Sequence, residues 1–430
     1  MAFMRIAFIT AGAAGMYCGS CMRDNTLVAA LNVAGHDATL IPTYTPIRTD
    51  ELDVSQGKIF FGGINIYLEQ KLWLFRDTPR FIDWILNRPR LLRWVSRFAV
   101  NVDYADLGTL TISMLKGEHG RQRKELTKLT DWLKTEVKPD VVVLTNALLS
   151  GLIHAVKQEL GVPVLTTLQG DDIFLNVLPP DIRARCLELI RENDRFTDGY
   201  ICTSRYYADF MAGYLGVDRA KMHVVYPGIN LKGHGGEKPP RGERPPTIGY
   251  FARICPEKGF HNIIDAFIRL RQTLPDVRLK ASGWLGKHNH PYFAEQVKKL
   301  DAAGLTAAFE HVESPSHADK VRFLQSIDVL SVPTDYHEPK GLYVLEAWAN
   351  AVPVVQPAHG SFPELIEATG GGLIVPSENA DALAAGLRQL IENEPLREEL
   401  GRKAQPIVQE RFSASKMAEE TLTVLNQYVR

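Results

Sequence analysis

The residues of this chain best suited to chemistry are two glutamates, Glu338 and Glu346, and two cations, Arg253 and Lys258. Pro339 and Gly341 stand between the glutamates, in DYHEPKGLYVLEAWANAVPVV (335–355). DVLSVP (328–333) before it and VPVVQP (352–357) at its end read as strands, and GLYVLEAWANA between them reads as a helix opened by a glycine. One acid therefore lies just before a helix and the other in its second turn. Backbone amides at a helix start bind anions, and the helix dipole adds to that. Acids on either side can grip hydroxyls flanking a bound phosphate, a layout for a sugar joined to a nucleotide through a diphosphate. Arg253 and Lys258 lie in RICPEKGF, between the strand TIGYFA (247–252) and the next helix. Cations on one strand-end loop suit the negative charge that develops as a nucleoside diphosphate departs, and they stabilise it without a metal.

Other candidates lie in the first half. TAGAAGMYCGSCMRDN (10–25) follows the first strand, and Gly12 and Gly15 would let the backbone approach a phosphate or a sugar. Asn146, at the end of DVVVLTN, is placed at a ligand-binding edge by its strand-end position. Cys18 and Cys21 form a C-x-x-C in the first loop, without the second pair that a structural zinc requires. They read as small loop residues near an acceptor, with redox activity as the alternative, because a helix start lowers a thiol pKa. KLWLFRDTPRFIDWILNRPRLLRWVSRF (71–98) combines Trp73, Trp84 and Trp94 with seven basic residues. Amphipathic core helices, aromatic stacking on a sugar and peripheral membrane contact all stay open for it.

The elements that must position these residues alternate from end to end. RIAFIT (5–10), DVVVLT (140–145), VPVLTTL (162–168), GYICTS (199–204), TIGYFA and VRLKASG (277–283) are strand-like runs between helical patterns, which predicts a parallel α/β architecture. KGHGGEKPPRGERPP (232–246) is too rich in glycine and proline for regular structure and reads as a linker. On either side of it a pattern repeats. DVVVLTN, a helix and VPVLTTLQG come before; DVLSVPT, a helix and VPVVQPAHG come after. The expectation is two doubly wound domains of similar plan with a cleft between them, binding ligands at the carboxyl ends of their strands.

Composition bounds the reading. A chain of 430 residues is too long for one ordinary core. With 45% hydrophobic and 23% charged residues it reads as a soluble globular protein, and a net charge of −1 implies no general attraction to nucleic acid or membrane. No apolar run approaches the roughly 20 residues of a membrane span. Five cysteines and an N-terminus that reads as a first strand rather than a signal peptide predict a cytoplasmic protein.

Glu338, Pro339, Gly341, Leu342, Leu345 and Glu346 match the Glu-Pro-x-Gly-Leu-x-x-Leu-Glu pattern of retaining GT-B glycosyltransferases, and the chain resembles their family 4, also called glycosyl transferase group 1. The resemblance implies an α/β GT-B fold of two Rossmann-like doubly wound domains facing a central cleft. Residues 1–231 would form the acceptor side, 232–246 a linker and 247–412 the donor domain, with the C-terminal helix (413–430) crossing back onto the first domain. It further implies that Glu338 contacts the donor sugar and Glu346 the nucleotide ribose. Gly341 and Leu342 would offer amides to the phosphates, and Gly283 would lie near the nucleobase. Arg253, Lys258 and Gly259 match the family's cationic loop. Gly170 and Asp172 match its acceptor loop, where Gln169 replaces a histidine; glutamine binds sugar hydroxyls but does not titrate.

The implied activity is metal-independent retaining transfer from a UDP-, GDP- or ADP-sugar to a saccharide, lipid or small-molecule hydroxyl. It uses no cofactor and no nucleic acid, and 71–98 offers a peripheral contact with the inner membrane face. A glucan synthase like those making glycogen and starch is the alternative among transferases, although their lysine-bearing donor loop is not evident at Gly12–Gly15. A sugar-nucleotide epimerase and a non-catalytic nucleotide-sugar binder are the alternatives outside that class. A Rossmann dehydrogenase is disfavoured because no G-x-G-x-x-G follows the first strand.

Overall fold

The computed structural model describes residues 2–12, 18–57, 60, 104–236, 242–314 and 316–429. Gly15 and the tryptophan-arginine segment 71–98 lie outside the described residues. The chain forms two compact units, Met1–Val225 with Ala418–Arg430, and Tyr226–Met417.

The first unit is built on a six-stranded parallel sheet. Its strands are β1 (Arg5–Thr10), β2 (Asp37–Pro42), β3 (Val141–Leu144), β4 (Val164–Leu168), β5 (Gly199–Cys202) and β6 (Met222–Val224), in the order β2-β1-β3-β4-β5-β6. VVVL and VLTTL are buried at every position, because helices cover both faces of a parallel sheet. Ile9, Val142 and Leu144 pack on one side with Leu126, Leu129 and Ile153, while Leu168, Tyr200 and Cys202 pack in a separate cluster with Leu189 and Met211. The strand order reverses between β1 and β3. At such a point neighbouring crossovers go to opposite faces and leave a crevice at the carboxyl ends of the strands.

The second unit also holds a six-stranded parallel sheet. Its strands are β7 (Thr247–Phe251), β8 (Arg278–Ser282), β9 (Phe309–Val312), β10 (Val329–Leu330), β11 (Val354–Pro357) and β12 (Gly372–Val375), in the order β12-β11-β10-β7-β8-β9. Here the reversal falls between β7 and β10. The two plans are alike but not identical, since one strand lies beyond the reversal in the first sheet and two in the second.

The repeat seen in the sequence maps to equivalent places, for β3–β4 and β10–β11 are each the pair across the reversal from the first strand of their sheet, β1 or β7. Asp140 Oδ2 accepts the amide of Arg5, the first residue of β1, at 2.7 Å. Asp328 Oδ2 accepts that of Thr247, the first residue of β7, at 2.8 Å. Each aspartate thereby fixes the start of the first strand of its sheet, beside the reversal.

DVLSVP forms less strand than expected. The ladder covers Val329–Leu330, after which the Ser331 amide still bonds Gly249 O at 3.0 Å. Pro333 has no amide to continue the ladder, and the Thr334 amide turns back to Val332 O at 2.9 Å. Among the described residues no helix is long and apolar enough to cross a membrane.

Candidate active site

In the second unit the loop leaving β7 carries Arg253 and Lys258, and the loop leaving β10 carries Glu338. Both strands flank the reversal, so the topology brings together residues far apart in the chain. Lys258 Nζ lies 2.7 Å from Glu338 Oε2. That oxygen also accepts the hydroxyls of Tyr336 at 2.6 Å and Tyr343 at 3.1 Å. The Lys258 ammonium bonds the Tyr336 hydroxyl and lies over the rings of Tyr336 and Tyr343, 4.7 and 5.2 Å from their centroids. The cation is thus caged between two aromatic faces and a carboxylate.

Glu338 is 3% exposed. Burial alone would raise its pKa, but the Lys258 charge and the hydrogen bonds from Lys258 and Tyr336 outweigh it and bring the value down to about 2. The group is ionised at neutral pH. Its Oε1 accepts the Lys340 amide at 3.2 Å and keeps further acceptor capacity. The cage pushes both phenols well above their ordinary pKa, first by burial and then by the Glu338 charge, so they remain donors.

The helix Leu342–Ala349 begins after Gly341, which has φ +66°. Tyr343 through Ala349 are all buried, so the helix is embedded in the core with Trp348, and Glu346 is the one charged residue among them. The amides of Val344 and Leu345 bond Gly341 O at 2.9 and 3.2 Å, and those of Leu342 and Tyr343, at the very start, have no acceptor within the helix. Glu346 lies one turn on, and Lys320 Nζ reaches its Oε1 at 2.8 Å with both side chains under 10% exposed.

Arg253 is more open, its side chain 31% exposed and its Nη2 3.4 Å from Glu257 Oε1. The Tyr250 hydroxyl, from within β7, donates to the carbonyls of both Arg253 and Lys258, at 2.9 and 3.3 Å, and so shapes their loop. Gly283 has φ +143°, and a Cβ there would meet Ala252 O at 1.8 Å. Its want of a side chain lets the loops after β7 and β8 touch.

In the first unit Gly12 has φ +93°, and a Cβ would meet Thr45 O at 1.9 Å, so backbone packing demands this glycine too. Gln169, following β4, donates from Nε2 to Asp24 Oδ1 and Oδ2 at 3.2 and 3.1 Å and to Thr145 O at 3.0 Å. Asp172 accepts the Tyr207 hydroxyl at 2.6 Å, and the same hydroxyl accepts the amides of Gly170 and Asp171. Asp171 accepts the amides of Ala147 and Gln169; burial raises its pKa to about 6 against those bonds. Asn146 precedes a short 3-10 turn, Ala147–Leu152. Cys18 precedes the helix Gly19–Val33, and Cys21 is buried within its first turn.

The sequence reading missed Tyr336, Tyr343, Lys320 and Asp24. Lys320 left a signal, because it shares a buried helix face with Phe323 and Leu324 and interrupts an apolar stripe. A tyrosine beside a glutamate carries no such mark. Among the described residues no group of three histidine, cysteine, aspartate or glutamate side chains is placed to hold a metal ion.

Comparison with known proteins bears on the family and the fold. Residues 236–406 match the family model described as "Glycosyl transferases group 1", and residues 114–232 match "Glycosyltransferase Family 4". A glycogen synthase of Mycobacterium tuberculosis is 25% identical over 295 residues, covering 67% of this chain and 68% of that protein. Among solved structures, Anabaena HepE in complex with UDP aligns over 99% of this chain and 100% of its own, with TM-score 0.70 and 16% identity. Sucrose-phosphate synthase of Thermosynechococcus elongatus aligns over 98% of both chains, with TM-score 0.69 and 17% identity. The two structures share the fold, and the two family models fall on the two halves of the chain in turn. This chain belongs to the group 1, family 4 glycosyltransferases of GT-B fold.

Proposed function

We propose that the protein transfers a sugar, with retention of anomeric configuration, from a UDP-, GDP- or ADP-sugar to a hydroxyl of a saccharide, lipid or small-molecule acceptor. The observation that carries this reading is the Lys258–Glu338 contact of 2.7 Å at the strand reversal of the second unit. The donor diphosphate lies against Lys258, Arg253 and the amides of Leu342 and Tyr343 at the helix start, three positive features of the second unit. The bond between the anomeric carbon and the diphosphate oxygen breaks, and its electron pair leaves with the nucleoside diphosphate. Arg253 and Lys258 meet the growing charge, which makes the proposed reaction independent of a metal. The acceptor oxygen bonds to the anomeric carbon on the face the diphosphate leaves, and a phosphate oxygen takes its proton.

Glu338 holds the Lys258 ammonium in place and offers Oε1 to a donor-sugar hydroxyl. Its other oxygen already accepts three donors, which suits a positioning carboxylate and not a nucleophile. Glu346, held by Lys320, accepts the ribose hydroxyls. Gln169 and Asp172 belong to the acceptor side in the first unit. The likeness to a glycogen synthase makes glycogen one acceptor to include.

The test is turnover of UDP-, GDP- and ADP-sugars, with and without simple sugars, glycogen and lipid extracts, in buffer with and without a chelator. Nuclear magnetic resonance reads the anomeric configuration of the first-formed product. The expected result is one donor consumed only with acceptor, unaffected by chelator, giving a product of unchanged configuration. An inverted product sinks the mechanism, loss of activity in chelator sinks metal independence, and isomerisation of a donor without acceptor replaces the transferase by an epimerase.

A further inference from the structure

The strand reversal of the first unit carries an arginine that the donor chemistry leaves unexplained. The helix Gly19–Val33 follows β1 and turns Arg23 and Asp24 inward, 1% and 0% exposed. Arg23 Nη1 donates to Asp24 Oδ1 at 3.1 Å. Its Nε and Nη2 are buried and make no hydrogen bond among the described residues. These two N–H groups lie on one edge of the guanidinium plane and form a fork that matches two neighbouring oxygens. Burying such donors unpaired is costly, so a fork kept in this state is suited to a ligand. Its aim is fixed by a chain of contacts, because Asp24 takes Gln169 Nε2 on both oxygens and Gln169 bonds Thr145 O, tying the cluster to the ends of β3 and β4. On the same edge Asn146 Oδ1 is a buried acceptor without a partner among the described residues.

The charge decides the ligand class. Asp24 already balances the guanidinium, and Asp171 and Asp172 stand two and three residues after Gln169, so the edge does not favour an anion. A fully ionised phosphate also has no hydrogen to give Asn146, whereas a hydroxyl both accepts and donates. We propose that the Nε/Nη2 fork of Arg23 holds two adjacent hydroxyl oxygens of a neutral sugar or cyclic polyol, and that this ring is the acceptor. The inference rests on the transferase reading for the word acceptor, but the binding site itself does not.

The test follows the Arg23 Nε–H signal in protein carrying nitrogen-15 arginine, assigned by its loss in Arg23→Lys. Glucose, myo-inositol and maltotriose are the neutral probes, and inorganic pyrophosphate is the anionic one. At least one neutral probe should shift the signal and pyrophosphate should not. Arg23→Lys, which keeps the charge beside Asp24 but loses the fork, should weaken that probe's binding roughly 10- to 100-fold while nucleoside diphosphate binding holds. The double variant Arg23→Gln/Asp24→Asn removes both buried charges and should bind as poorly if Arg23→Lys fails to fold. A shift with pyrophosphate alone, or with none of the probes, overturns the proposal. Sugar binding at Arg23 without any donor turnover would sink the transferase reading and leave this site standing; turnover without a shift would do the reverse.

Discussion

At the scale of single residues the second unit, the proposed donor half, turns on two ion pairs, Lys258–Glu338 and Lys320–Glu346. Glu338→Gln keeps an acceptor for the tyrosines but removes the countercharge of Lys258, and kcat/KM for nucleotide-sugar turnover should fall roughly 10²–10³-fold. The same variant should alter acid stability. The Glu338 pKa is depressed from 4.5 to about 2, so its contribution is complete above about 4.5 and is lost as pH falls toward 2. Melting temperature measured across that window should drop less steeply in Glu338→Gln than in the parent protein. Lys320→Met leaves Glu346 charged in a dry site, at a cost of about 3–5 kcal/mol, and should raise donor KM roughly 10-fold or more with kcat little changed. Lys320→Arg should recover the KM. Lys320→Met/Glu346→Gln should recover stability without recovering KM, which a merely structural pair would not do.

At the scale of elements, loop geometry sets where Glu338 sits. Gly360 has φ +62°, and a Cβ there would lie 2.6 Å from the backbone N and O of Glu338. Gly360→Ala should therefore displace Glu338 and lower turnover far more than it lowers melting temperature, as activity and calorimetry on one preparation would show. The helix Leu342–Ala349 ends in a turn that puts Ala351 at φ +54°, a conformation favouring glycine. Ala351→Gly should raise stability by about 0.5–1 kcal/mol in thermal or urea unfolding. These elements were legible in the sequence because parallel strands are continuous apolar runs, and RIAFIT and TIGYFA fall on β1 and β7 within a residue. DVLSVP was less so, since its apolar character continues past the last ladder bond into a buried bend.

At the scale of the whole molecule, the two aspartates beside the sheet reversals are the clearest internal correspondence. Asp328→Asn weakens the hold on both the Thr247 amide and Arg244, which it binds through two oxygens at 2.8 Å. It should destabilise the second unit by about 1–3 kcal/mol and separate its calorimetric transition from that of the first. The architecture could be read from alternating patterns and one repeated motif, and Glu338 and Lys258 from their strand-end places. The cluster of Arg23, Asp24 and Gln169 could not, because nothing in RDN tells that a helix will turn its charges inward, and contacts between residues 24 and 169 are written in topology alone.

The first unit is discontinuous, taking in Ala418–Arg430 as well as Met1–Val225. Its last piece brings Tyr428 to within 2.7 Å of His223 Nε2 and over Gly199, where a Cβ would meet the phenol oxygen at 2.5 Å. On a ribosome adding about 5–20 residues per second, the ends of β5 and β6 wait roughly 10–40 s for that cover while the whole second unit is made. The first unit is thus closed only after the second has been made.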